Sequence, residues 1–312
     1  MKKIINKIKK FLYDNRNNKV VVFLDKLIYR FTDHNIISAG GSLVYFFILA
    51  LFPFLIALLN VLNFTDFLSS ESIINLIKFL PREISSIVMN FISEISQSSS
   101  GELLSFSIAL AIWSASRGIK QIIKHVNIAY GFIDNRGYIK VTLISIVFTI
   151  ALTVMIFMLL LTQVFGRIII EAIIHYIGLT LEMTFLWELL NMLIPIVYMI
   201  IIFALLYKFS PTSDKRYLLR KKSIVPGALF ATFGTIIVTK LFGFYVGHFA
   251  HYSITYGSLG GVIILLIWLW LMSMIILVGG EINAIIAYLL KNNDYYPREE
   301  SVMNKFLKDY HP

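Results

Sequence analysis

Four polar side chains stand in or beside long apolar runs of this chain and are its best candidates for chemistry: Arg117, Asn127, Glu281 and Asn283. A guanidinium and a carboxylate in such surroundings can form an ion pair, relay a proton or hold a charged ligand. Each use needs a partner, because an ionised side chain at the centre of a membrane helix costs about 2.5–3.5 kcal/mol on insertion scales. At 1.5 Å of rise per residue, Arg117 lies ~22 Å along its helix from Glu102, and Glu281 lies ~36 Å from Gly257. If these helices run in the same direction, both residues reach the same end of a bundle. Two readings follow. In one, Arg117 and Glu281 meet as a pair or through water. In the other, Arg117 extends toward lipid phosphates and Glu281 caps or bonds locally. Asn127 and Asn283 join this cluster by depth alone, since Glu281 and Asn283 point to different sides of their helix.

Other constellations are thinner. His248 and His251 have the i,i+3 spacing of a metal pair, yet no carboxylate or cysteine accompanies them, so no metal site is expected. Lys240 falls within an apolar run, where extension toward the nearer membrane surface accounts for it. The sequence holds no HExxH, no GxSxG and no phosphate-binding glycine loop. Its six histidines, at 34, 125, 175, 248, 251 and 311, are scattered, and the acidic residues Asp134 and Asp214 of two basic loops are single. A catalyst is not expected, nor a cofactor. With no cysteine, disulfides and thiolate metal sites are excluded.

The elements that position these residues follow from hydropathy. Of 312 residues, 58% are hydrophobic and 15% charged, too apolar for one water-soluble core. Six segments are long and apolar enough to cross a bilayer, at about 37–62, 102–122, 139–166, 185–207, 224–247 and 258–290. The second is the least apolar, ending in "SASRGIKQ". Charge supports it. With Arg117, Lys120 and Lys140 assigned to the loop between the second and third spans, and Lys240 left within the fifth, Lys plus Arg number nine, two, five, one, six, none and four from N- to C-terminus. Basic residues are retained on the cytoplasmic side, so this alternation places both termini and the loops at 117–140 and 208–223 inside. The net charge of +10 is thereby a topology signal, and nucleic acid is not expected as a partner. The expected fold class is all-α: an integral bundle of six transmembrane helices at 37–290, after a cytoplasmic region 1–36 and before a cytoplasmic tail 291–312.

Two amphipathic regions are expected beside the spans. Ile4, Ile5, Ile8, Phe11 and Leu12 recur at helical spacing among lysines, followed by a stripe of Val20, Leu24, Leu27, Ile28 and Phe31 with Lys26 and Arg30 off it. Outside the membrane, residues 81–95 place Ile84, Ile87, Val88, Phe91 and Ile95 on one face; a lid on the bundle and a helix lying in the interface both fit. Pro53 and Pro195 are expected to kink the first and fourth spans. Glycines 40, 41, 260, 261, 279 and 280 allow close helix crossings.

Four separated stretches together resemble the YihY/BrkB family of bacterial inner-membrane proteins: "LVYFFILALFPFLIALL", "WSASRGIKQIIKHVNIAYG", "YKFSPTSDKRYLLRKKSIVPGALFAT" and "YGSLGGVIILLIWLWLMSMIILVGGEINA". The resemblance covers roughly residues 20–290. It implies a six-span helical bundle in the bacterial cytoplasmic membrane. The family has carried two older labels, a tRNA-processing ribonuclease (ribonuclease BN) and a virulence or serum-resistance factor. The first finds no chemistry in these residues. The resemblance suggests transport or translocation of a lipid or other amphipathic envelope component, with membrane lipids as partners. A non-transporting scaffold for envelope proteins is the rival reading, and a membrane-bound enzyme the third. A second copy of the chain or another envelope protein as partner stays open.

Overall fold

The computed structural model describes residues 10, 13–15, 18–64, 100–154, 183–212, 221–248, 259–290 and 301–307, which form helices and short connections with no strand among them. The helices are α1 (Lys19–Asp33), α2 (Ile36–Phe64), α3 (Gly101–Ala129), α4 (Tyr138–Val154), α5 (Met183–Phe209), α6 (Lys221–His248), α7 (Gly260–Leu289) and α8 (Val302–Leu307). Four are long and apolar enough to cross a bilayer: α2, the Met192–Phe209 part of α5, α6 and α7. At the positions of the second and third expected spans stand α3 and α4. The 29 residues of α3 include Glu102, Arg117, Lys120 and Lys124, which make it less apolar, and α4 is an apolar helix of 17 described residues. The expected helices at 4–12 and 81–95 and the remainder of the third span lie outside the described residues.

Local chemistry sets the helix ends. Asn18 caps α1, its Oδ1 accepting from the Val20 N–H at 2.9 Å, and Ser100 caps α3, its hydroxyl accepting from the Leu103 N–H at 3.1 Å. Glu102 in the first turn of α3 suits the positive end of the helix dipole. At its other end α3 runs past residue 122 to Ala129. There Gly131 takes a φ of 63°, the Gly131 N–H bonds the Ile128 carbonyl and the Phe132 N–H bonds the Asn127 carbonyl. This is a glycine-terminated Schellman stop. Asn35, at φ 49°, makes the corner between α1 and α2; asparagine is among the few non-glycine residues that visit this region readily.

The helices alternate in direction. The start of α2, the end of α3, the start of α4, the end of α5 and the end of α7 therefore gather at one end, beside α1. There α2 packs against α3 and α7, α6 against α5 and α7, and α1 against α7, α2 and α8. On α1, Val20, Leu24 and Ile28 point outward while Lys26 and Arg30 are buried. Of its apolar stripe, Val20, Leu24 and Ile28 face away from the protein, Phe31 packs against the core, and the side with Lys26 and Arg30 is turned in. The same inversion runs through the molecule. Phe52, Phe106, Leu143, Val147, Ile237 and Leu241 are each more than half exposed, whereas Ser114, Ser145, Thr232, Ser273 and Asn283 are wholly buried. In water, so much exposed apolar surface would drive aggregation; in hydrocarbon it is the solvated face.

Small residues set the seams. A Cβ added to Gly227 of α6 would strike the Gly279 carbonyl oxygen of α7, and one added to Gly279 would strike the Tyr207 hydroxyl of α5. Gly40 faces Met274 and Trp270, Gly118 faces Phe47, and Gly280 faces Val126 at 3.2 Å. Gly41 and Gly261 meet nothing, so only part of the expected glycine set lies at crossings. Gly227→Ala must push two backbones apart and is expected to destabilise the fold by roughly 1–3 kcal/mol. Gly243→Ala, whose added Cβ meets open space, should be neutral or stabilising by up to ~1 kcal/mol. Thermal melts of the two variants in detergent check this, and equal melting temperatures would contradict the close crossing of α6 and α7.

Candidate functional site

Glu281 projects from α7 into the end of the bundle where α1 lies, and is 2% exposed. Both of its oxygens are engaged. Oε1 is 2.6 Å from His34 Nδ1 and Oε2 is 3.4 Å from Arg30 Nη1. The same Arg30 nitrogen donates to the Ala129 carbonyl at 2.8 Å, and its guanidinium lies 5.9 Å from the Tyr288 ring. Tyr288 in turn donates to the Tyr130 carbonyl. One carboxylate thus joins α1, the α1–α2 corner, the exposed carbonyls at the end of α3, and α7. A carboxylate so placed ties these helices together.

A second cluster closes the α3–α4 loop. Asn127 Nδ2 bonds the Ile123 carbonyl at 2.9 Å, Asp134 Oδ2 at 3.2 Å and the Ser210 carbonyl at 3.3 Å, while its Oδ1 accepts from the Thr212 N–H at 2.8 Å. Arg136 holds Asp134 with two side-chain bonds of 2.7 and 2.6 Å and also donates to the Ser210 carbonyl at 2.7 Å. The last carbonyls of α5 are satisfied by a cation, as a helix C-terminus favours. Hydrogen bonds from Arg136 hold the Asp134 carboxyl below its ordinary range against a smaller opposing effect of burial.

The four sequence candidates therefore do not form one cluster. Arg117 stacks on Trp113, 4.8 Å from its ring, and forms no ion pair with Glu281; the carboxylate is held by Arg30 and His34. The side of α3 that carries Arg117 also carries the exposed Trp113 and points outward, which explains why equal depth did not bring the two together. Asn127 belongs to the loop cluster. Asn283 accepts from the Gly227 N–H at 2.7 Å across the α6–α7 crossing. Pro53 and Pro195 each lie inside a helix that continues on both sides. Lys240 is exposed on α6. His248 lies 2.9 Å from the Phe244 carbonyl, His251 lies outside the described residues, and no group of three metal-ligating side chains occurs among the described residues. Sequence reasoning missed Arg30, His34, Arg136 and Gly227.

One large cavity, of about 530 Å³, lies between α2, α3 and α4. Ala50, Phe54 and Ala57 of α2, around Pro53, face Ala111, Ala115 and Ile119 of α3 across it. Among the described residues its polar lining is Thr149 and Thr153, whose hydroxyls donate to carbonyls of their own helix, Ser145 and Thr149, at 2.8 and 2.9 Å. Ile108, Ile150 and Val154 at its edge are 40–50% exposed, so the cavity reaches the outer surface of the bundle.

Long apolar helices, an apolar exterior and buried polar contacts define an all-helical integral membrane protein. Residues 27–302 match the family described as Virulence factor BrkB. The chain belongs to that family. It is 40% identical to the ribonuclease-like protein YfkH of Bacillus subtilis over 276 residues, 88% of this chain and 98% of that one. Shorter stretches match UPF0761 membrane proteins, at 33% identity over 85 residues in Pseudoalteromonas translucida, 27% of each chain, and at 35% over 80 residues in Tolumonas auensis, 26% of this chain and 25% of that one. No solved structure matches the chain.

Glu281→Leu leaves Arg30 buried without this carboxylate and is expected to cost roughly 3–5 kcal/mol, whereas the double variant Arg30→Met/Glu281→Leu should lose less than the sum of the single changes. Additive losses in melting temperature would show that the two groups do not act as a pair. The lowered Asp134 value has a sign. A depressed folded-state carboxyl stabilises the fold above the ordinary aspartate value of 3.8, and this contribution is lost as pH falls through the lower, folded value. Melting temperatures followed from about pH 7 to about pH 3 should show an acid-side loss that Asp134→Asn reduces.

Proposed function

We propose that the protein handles lipid in the bacterial cytoplasmic membrane, taking an acyl chain into the cavity between α2, α3 and α4 and easing movement of an amphipathic envelope component between leaflets. The cavity carries this reading. Its volume falls within the range of ligand sites, about 300–1,000 Å³, and its threonine hydroxyls are spent within α4. Such a wall offers a polar solute no hydrogen bond and matches hydrocarbon. An empty space of this size in a bilayer forfeits dispersion contacts, and the nearest material able to fill it is a lipid chain entering past Ile108, Ile150 and Val154. The headgroup stays outside the cavity. Catalysis is no part of this proposal: Glu281 has both oxygens engaged.

The threading proposed with it is six spans with both termini inside, organised as a cytoplasmic region 1–36, a membrane domain 37–290 and a cytoplasmic tail 291–312. The alternation of basic residues supports it, as does the gathering of Lys120 and Lys124 of α3 and Arg136 of the α3–α4 loop toward the end where α1 lies. There α1 rests at the interface with Val20, Leu24 and Ile28 toward lipid. A closed scaffold for envelope partners is the competing reading, and it predicts no lipid movement.

Reconstitution decides between them. Liposomes containing the protein and a fluorescent phospholipid should expose inner-leaflet label to a membrane-impermeant quencher faster than protein-free liposomes, and Ala115→Trp, which fills the cavity, should remove most of the gain while the protein stays folded. Equal rates with and without the protein would overturn lipid translocation and leave the scaffold.

A further inference from the structure

A second, smaller pocket of about 180 Å³ lies where α3 meets the start of α4, lined by Lys120, Lys124, Asn127, Phe132 and Asp134 among others. Its carboxylate is already taken: Asp134 is held by Arg136 and Asn127. Lys120 and Lys124, and Arg117 one turn away on the same side of α3, form no ion pair with any carboxylate among the described residues. Arg117 and Lys120 are half-buried. Each rests on an aromatic face, Arg117 on Trp113 and Lys120 on Tyr138, with its Nζ 4.1 Å from that ring. Both rings are more than half exposed on the outer surface. A cation stacked on a ring keeps N–H donors directed elsewhere, and among the described residues no carboxylate pairs with the set.

Depth indicates which anion they would meet. Lys124 and Lys120 lie ~8 and ~14 Å from the end of α3 at Ala129, and Arg117 ~18 Å, so their long side chains extend to the headgroup level. Exposed Tyr138, at the start of α4, marks the same level independently, since such rings favour the membrane–water interface. The anion available there is a phosphate diester.

We infer that this corner is a binding site for the headgroup of an anionic glycerophospholipid: Lys120 and Lys124 hold the phosphate from the pocket side, Arg117 approaches it from the lipid side, and Asn127 lines the floor. The inference deepens the lipid-handling reading by naming the lipid class, and it rests on that reading for its functional meaning. Binding itself is separable from translocation. An anionic headgroup adds a favourable interaction that a zwitterionic one offsets with its own cation, so selection follows from the excess of Lys120, Lys124 and Arg117 over Asp134, whose charge Arg136 already balances.

The test measures retained lipid by native mass spectrometry of protein released from nanodiscs containing equal amounts of phosphatidylglycerol and phosphatidylcholine. The wild type is expected to retain phosphatidylglycerol preferentially. Each lysine removed in Lys120→Gln and Lys124→Gln should lower that preference by about fivefold, the equivalent of ~1 kcal/mol per basic residue near an anionic surface, and Lys120→Arg should keep it. Inorganic phosphate and glycerol phosphate, added as free competitors, should not displace the lipid; displacement by either would make this a site for soluble phosphate and overturn the lipid assignment. If a glutamine variant does not fold, photo-crosslinkable phosphatidylglycerol on the wild type decides the matter. Crosslinks within residues 113–141 support the site, and crosslinks confined elsewhere overturn it. Preference unchanged by the glutamine variants sinks the site whatever the liposomes show, whereas preference without lipid movement keeps the site and sinks translocation.

Discussion

A carboxylate buried among membrane helices must be matched, and the match that Glu281 finds in Arg30 and His34 constrains the rest of the bundle. Desolvating both partners of an ion pair is costly, and the attraction between them repays it only with well-placed additional bonds. Here those bonds come from backbone: Arg30 also takes the Ala129 carbonyl, one of the acceptors that the end of α3 leaves open. The outcome is that α1 cannot lie anywhere on the membrane surface. It is fixed polar side inward, and at its far edge Asp25 accepts from the Ser301 hydroxyl and the Met303 N–H, drawing the start of α8 onto it. The chain's two ends and its last long helix are tied together through one short amphipathic element.

Away from that junction, shape does more than charge. Lipid tails are as apolar as leucine, so helices in a bilayer associate by close packing and interhelical hydrogen bonds. The α5–α6–α7 side shows this limit, with Gly227 and Gly279 in direct apposition and Tyr207 donating to the Ile276 carbonyl at 2.6 Å. On the α2–α3–α4 side the helices also meet closely where Gly118 faces Phe47. Around Ala50, Ala57, Ala111 and Ala115 a cavity remains between them. That contrast between a seam of glycines and a cavity lined by alanines is what the proposed entry of an acyl chain draws on.

Hydropathy located the four helices long and apolar enough to cross a bilayer, because length and composition are written in the sequence, whereas α3 was placed by the count of basic residues; the last span, expected at 258–290, runs Gly260–Leu289. Resemblance in four stretches identified the family, and residues 27–302 match it. The expected Arg117–Glu281 pair failed for a physical reason. Depth along a helix follows from counting residues, but azimuth relative to other helices does not, and α3 turns Arg117 outward onto Trp113. Arg30 and Glu281 are 251 positions apart and share no local spacing. Gly227 was unmarked because its reason for being glycine is the Gly279 carbonyl of another helix. The cavity was invisible for a similar reason, since alanines on three helices do not announce whether the backbones between them will meet.

Lipid handling of this kind requires a bilayer with the Glu281 junction and the basic α3–α4 corner on its cytoplasmic side. The chain has no cysteine, so single cysteines at Lys19, Ile133 and Leu259, all exposed, report their side directly when challenged with a membrane-impermeant maleimide. Lys19→Cys and Ile133→Cys should react only after the cells are permeabilised, and Leu259→Cys should react in intact cells. Labelling of residue 133 from outside, or of 133 and 259 from the same side, would contradict the threading and with it the headgroup site, the interfacial helix and the direction from which lipid approaches.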